Sequence, residues 1–209
     1  MKSKSLHQAN IVFLFADTYS FIPENVEFNS LFGGKEAVGI NFMDDPAIRT
    51  KIVDAPRAGL QVVWEGTRLR IEDKNAIEPK ESKLVSEAIR IYHALVPKNA
   101  PLRGLGFNFD VIFQFDDVIR MQDMFSMLAP GALLLDEGLM DFGWQWTVMS
   151  KDSKQLTRYF IKIAAPLELM MHVNYHYSVD HLLDEKEIMM RHKVGYEELG
   201  GIVDRFNLH

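Results

Sequence analysis

Two hydrophobic periods alternate along this chain, and they predict its elements. Apolar residues two apart mark strands with one buried face, and apolar residues three and four apart mark helices. The clearest period of two runs through Leu105, Phe107, Phe109, Val111, Phe113 and Phe115, with Gly104, Gly106, Asn108, Asp110 and Gln114 between them. Such clean alternation predicts an antiparallel strand with one face on a core and the other partly wet. Segments 10–16, 38–43, 139–149, 156–165 and 167–179 are short, β-branched and aromatic, and read as further strands. Residues 60–64 and 67–71 form a hairpin across Glu65-Gly66, with Leu60, Val62 and Trp64 alternating on one arm and Leu69 and Ile71 on the other. Glu is a poor first residue for a two-residue turn, which leaves the register open by one position.

Helical spacing appears three times. Leu84, Ala88, Ile91 and Leu95 predict a helix over 79–96 that Pro97 ends. Asp116 or Asp117 caps a short helix to about residue 128, with Val118, Met121, Phe125 and Leu128 facing inward. Ile188, His192, Leu199, Ile202 and Phe206 predict a last helix over 184–206. Gly195, Gly200 and Gly201 each weaken it by up to about 1 kcal/mol, which predicts a break within 195–201. The polar residues 1–9 read as frayed, and 17–36 as a long loop rich in Gly, Asn and Pro. Strands and long helices do not alternate regularly, so a doubly wound parallel sheet is disfavoured. The expected fold is α+β: about seven to nine mainly antiparallel strands with three helices packed on them. A single domain over 1–209 is expected, and antiparallel strands followed by a helix in 1–100 and again in 101–209 suggest two similar halves.

Composition narrows the chemistry. The 209 residues include no cysteine, which removes disulfides, thiolate metal sites and Cys nucleophiles. The net charge of −6 works against a broad nucleic-acid surface, so nucleic acid is not an expected partner. The apolar run 11–16 after Lys2 and Lys4 is too short for a signal peptide, and nothing approaches the roughly 18 apolar residues of a membrane helix. The expectation is a cytoplasmic protein with no membrane partner. Fourteen Phe, three Trp and eleven Met exceed what one core face needs, so an oligomer interface or an apolar pocket is expected.

The segment 171–181 gathers the most chemistry, with His172, Asn174, His176, Asp180 and His181. On a helix, His172 and His176 would share a face and could chelate zinc. The alternation of Met171, Val173, Tyr175, Tyr177 and Val179 favours a strand instead. Residues four apart on a strand are roughly 13 Å apart, too far to share an ion unaided. No metal and no cofactor are therefore expected, and His172, Asn174 and His176 become a candidate ligand-binding face. Trp144 and Trp146 share a strand face, and Arg68 and Arg70 share one on the hairpin; all four are candidate contacts for a ligand or partner. No nucleophile elbow, phosphate-binding loop or dinucleotide fingerprint occurs, so no catalytic residues are assigned. Three readings follow: a non-enzymatic binding or assembly protein forming a homo-oligomer; a small-molecule binding module or enzyme with a pocket lined by Trp144, Trp146 and Tyr175 together with His172 or His176; and a hydrolase using a metal at His172, His176 and Asp180.

Overall fold

A computed structural model of the chain describes residues 2–16, 21–33, 41–45, 47, 49–117 and 143–204. Its strands form one nine-stranded antiparallel sheet. In chain order the elements are β1 (Ser3–Phe15), α1 (Asn25–Leu31), β2 (Asn41–Asp45), β3 (Thr50–Ala55), β4 (Leu60–Glu65), β5 (Arg68–Asp73), α2 (Leu84–Leu95), β6 (Leu102–Gln114), β7 (Gly143–Met149), β8 (Gln155–Ala165), β9 (Glu168–Ser178) and α3 (Glu185–Asp204). Across the sheet the order is β2-β3-β4-β5-β1-β6-β9-β8-β7. β1 and β6 play matching parts. Each is 13 residues long, each pairs with the last strand of the meander that follows it, and the two pair with each other at the centre of the sheet.

The period of two decides which side is buried. Phe13 and Phe15 of β1, Phe107, Phe109 and Phe113 of β6, and Val173 and Tyr175 of β9 are all essentially inaccessible to solvent. Each buried aromatic contributes about 2–3 kcal/mol. All the described helices cover this side. Tyr92 of α2 sits 4.8 Å, ring to ring, from Phe13, and His192 of α3 lies between Phe107 and Phe109 at 5.5 and 4.9 Å. Phe28 of α1 meets Phe42 of β2. The other face of the sheet carries no helix among the described residues.

Several expectations are corrected. Residues 1–9 are not frayed from end to end, because β1 begins at Ser3 and pairs with β6 as far as Gln114. The 17–36 loop contains α1, whose first turn is closed where the Glu24 N–H donates to the Glu27 carboxylate at 2.6 Å. Strand β3, with inward Val53 and Ala55, was not anticipated. The hairpin turn is Gly66-Thr67 rather than Glu65-Gly66, because Glu65 pairs with Arg68. Gly66, at φ 50°, takes the first turn position, the place a type II′ turn gives to glycine. Helix α2 starts at Leu84, not 79, after Ser82 Oγ accepts the Leu84 N–H at 3.0 Å. The expected helix over 116–128 lies outside the described residues from 118 onward, as do 38–40 and 139–142 of two expected strands.

The expected break at 195–201 does not occur, and α3 runs unbroken to Asp204. Gly195 is there for packing. Its carbonyl accepts the Tyr175 hydroxyl at 2.9 Å, and a Cβ at this position would sit 3.1 Å from the Tyr175 ring. Burial of Ile188, His192, Tyr196, Leu199 and Val203 along one stripe outweighs the low propensity of the three glycines. Among the described residues, no helix is long and apolar enough to cross a membrane.

Candidate functional site

The helix-free face of the sheet carries a polar row that only the strand order reveals. Following register partners from β3 to β7, the row reads Asp54, Gln61, Glu72, Asn10, Asn108, Asn174, Arg158 and Thr147, one residue from each strand. Its middle is a chain of amides. Asn108 Nδ2 donates to Asn10 Oδ1 at 2.6 Å, and Asn174 Nδ2 donates to Asn108 Oδ1. Further out, Gln61 Nε2 donates to Asp54 Oδ1 at 2.7 Å. Asn10 and Glu72 are buried despite lying on the helix-free side. A buried amide needs partners, and the cross-strand chain supplies them.

Next to this row the face is hollowed into a groove of about 690 Å³. Val12, Leu14, Leu156 and Phe160 supply its apolar walls. Asn108 and Asn174 reach its surface, with His172, His176, Arg68 and Arg158 around them. Two glycines of β6 make room. A Cβ on Gly104 would lie 2.7 Å from His176 Cε1, and one on Gly106 would lie 3.3 Å from the Tyr175 carbonyl oxygen. The His176 ring therefore lies over β6 where any other residue would displace it.

The two histidines are set differently. His172 Nδ1 is 2.5 Å from Asp110 Oδ1, on the neighbouring strand. A carboxylate accepts, so Nδ1 carries the proton and Nε2 is the atom left for a ligand. Among the described residues, His176 has no such acid. Burial, and then the charges of Arg158 and Arg103, hold its pKa below the usual 6.5, so it is neutral at pH 7. Arg68 is satisfied by Glu65. Arg158 is exposed and, among the described residues, has neither an ion-pair partner nor a hydrogen bond, although it adjoins Asn174 in the row. Arg70, one strand beyond β1 and beside Val12, keeps a buried Nε with no partner. Unpaired guanidinium groups on a partly desolvated face favour an anion.

The sequence-derived site residues thus fall on two sides. His172, Asn174, His176 and Arg68 line the groove, and Arg70 faces the same way beside it. Trp144 and Trp146 lie on the helix side, in register with Ile161 and Tyr159, and Trp146 stacks on Tyr159 at 5.0 Å. A pocket lined by Trp144, Trp146 and Tyr175 together with His172 or His176 is not formed, because neighbouring residues of a strand face opposite ways. His172 and His176 sit on strand β9 and not on a helix. Among the described residues, no group of three or more His, Asp or Glu is placed to hold a metal ion. His93 of α2 is exposed, whereas His192 is buried in the core.

No protein-family model matches the chain, and no curated protein is similar to it in sequence. The site must therefore be read from its own chemistry. Asp110, Asn108 and the two glycines of β6 belong to it but were not assigned to it from sequence. The signal was present in the polar positions of the 104–114 alternation, but it could be used only once β6 was known to lie between β1 and β9.

Proposed function

We propose that this is a non-enzymatic binding protein whose helix-free sheet face takes a small ligand bearing a carboxylate or phosphate next to a flat apolar part. The observation that carries this reading is Arg158, a guanidinium with no counter-ion among the described residues, at the rim of a groove whose floor is an amide chain. The acidic group would sit against the Arg158 guanidinium, and the apolar part against Phe160 and Leu156. Orphaned Arg70 Nε supports the same reading. The test is a titration of the full chain with benzoate and with inorganic phosphate, followed by the imidazole resonances of His172 and His176. Binding should shift both sets of resonances, and Arg158→Gln should weaken it at least tenfold, equivalent to about 1.4 kcal/mol. If neither probe moves these resonances, or if Arg158→Gln binds as tightly as the parent, the reading fails.

One observation favours a second reading, an enzyme acting in the same groove. The Asp110 carboxylate holds His172 at Nδ1 and leaves Nε2 outside that contact, the arrangement of a general base held by a carboxylate. A ligand whose bound form loses a proton to solvent, with the loss abolished by His172→Gln, would decide for it.

A further inference from the structure

A second cleft, of about 960 Å³, opens between α3 and the turn that joins β7 to β8, beside the last residues of β9. It is apart from the groove, because Tyr177, which lines it, follows His176 on β9 and so faces the helix side. Its size suits a small molecule.

Tyr177 is only 8% exposed, yet its hydroxyl makes no hydrogen bond among the described residues. Its neighbour on the same face, Tyr175, gives its own hydroxyl to the Gly195 carbonyl at 2.9 Å. A tyrosine buried this far normally finds a partner for its oxygen. Burial, helped by the Glu198 charge and opposed by Arg191, pushes the Tyr177 pKa up to about 12. At pH 7 the hydroxyl is therefore intact, and it can donate or accept.

Most charged groups around the cleft are already spent. Asp152 accepts from Ser150 Oγ at 2.6 Å and from the Lys154 N–H at 3.1 Å. Asp180 pairs with His181 at 2.6 Å. Arg191 lies 4.6 Å over the Tyr177 ring and pairs with Glu187, and Arg103 is engaged as well. Two are left. The Glu198 carboxylate on α3 and the Lys154 ammonium on the hairpin turn have no ion-pair partner among the described residues. They have opposite signs and belong to the two elements that form the cleft. Met190 and Val194 of α3, 57% and 43% exposed, add an apolar wall.

We propose that this cleft binds a free amino acid with a large aliphatic side chain, as its zwitterion. The ammonium lies between Glu198 and the Tyr177 hydroxyl, the carboxylate meets Lys154, and the side chain covers Met190 and Val194. A compound with one of the two charges leaves the other bank unpaired, so both charges are needed for tight binding. The cleft is independent of the groove and of the ligand proposed there.

Calorimetric titration of the full chain tests it, with leucine, with isoamylamine, which lacks the carboxylate, and with isocaproate, which lacks the amine. Leucine should give a saturable heat, and each of the other two should bind at least about tenfold more weakly. Glu198→Gln should abolish the advantage of leucine over isocaproate. Tyr177→Phe should weaken leucine binding with an unchanged urea midpoint, because the hydroxyl holds no other residue. No heat with leucine overturns the proposal, as does an analogue that binds as tightly as leucine. Tyr177→Phe binding leucine as tightly as the parent overturns it too. If Tyr177→Phe does not fold, Glu198→Gln, at an exposed position, decides: leucine losing its advantage over isocaproate supports the proposal, and keeping it refutes it.

Discussion

His192 makes the acid stability of this protein a quantitative matter. It sits on α3 between the rings of Phe107 and Phe109, 1% exposed, with Nε2 buried and unpartnered. Burial lowers its pKa from 6.5 to about 4, and no neighbouring charge contributes to the shift. The native state therefore holds this imidazole neutral, whereas the unfolded chain protonates it near 6.5. Stability from this residue is fully present above 6.5 and is lost as pH falls toward about 4. At about 1.4 kcal/mol per tenfold change, the total is roughly 3 kcal/mol, of which about 2 kcal/mol is lost between pH 7 and pH 5. Urea denaturation of the parent and of His192→Leu at both pH values isolates this contribution, because the remaining titrating groups cancel in the difference. The parent should lose about 2 kcal/mol more than the variant. At pH 7 the variant should be no less stable, since it also removes an unsatisfied buried nitrogen. Equal losses for both proteins would show that His192 is hydrated or paired in the native state and would refute the reasoning.

Two further outcomes follow from local geometry. Gly195→Ala and Gly200→Ala lie in the same helix and should change stability in opposite directions in urea melts. The first forces a methyl against the Tyr175 ring, which is buried and tied to the Gly195 carbonyl, and the strain of about 1–3 kcal/mol exceeds the propensity gain of about 1 kcal/mol. The second meets nothing within 4 Å and should keep the full gain. Arg158→Gln should raise the pKa of His176 in an imidazole titration by NMR, because the arginine is one of the charges holding it down. An unchanged or lower value would show that Arg158 does not face His176.

The alternation in 104–115 was enough to identify the central strand and to say which of its sides is wet, because a period of two is a direct imprint of the pleat. It could not say what lies beside it. Asn10 and Asn108 are 98 residues apart, and Asn108 and Asn174 are 66 apart, yet they form one hydrogen-bonded chain. That chain depends on β1 and β9 flanking β6, information held in pairing rather than in local pattern. Alternation correctly made 170–178 a strand rather than a helix, but it should also have separated Trp144, Trp146 and Tyr175 from the histidines. Gly195 was misread for a related reason. Propensity treats a helical glycine as a weakness, and the tyrosine it accommodates comes from a strand 20 residues earlier.

The amide chain also has a sense. Asn174 donates to Asn108, and Asn108 donates to Asn10, so all three side chains point their nitrogens the same way along the row. Turning one over would bring two oxygens or two NH₂ groups face to face, so the three reverse together or not at all. At the other end Asn10 accepts from Asn108 and turns its NH₂ toward β5, the strand of Glu72. Asn174 is thereby left presenting oxygen on the side of β8. A lone asparagine could greet a donor or an acceptor equally, whereas this one is committed by the two asparagines beside it to prefer a molecule that brings its own hydrogen.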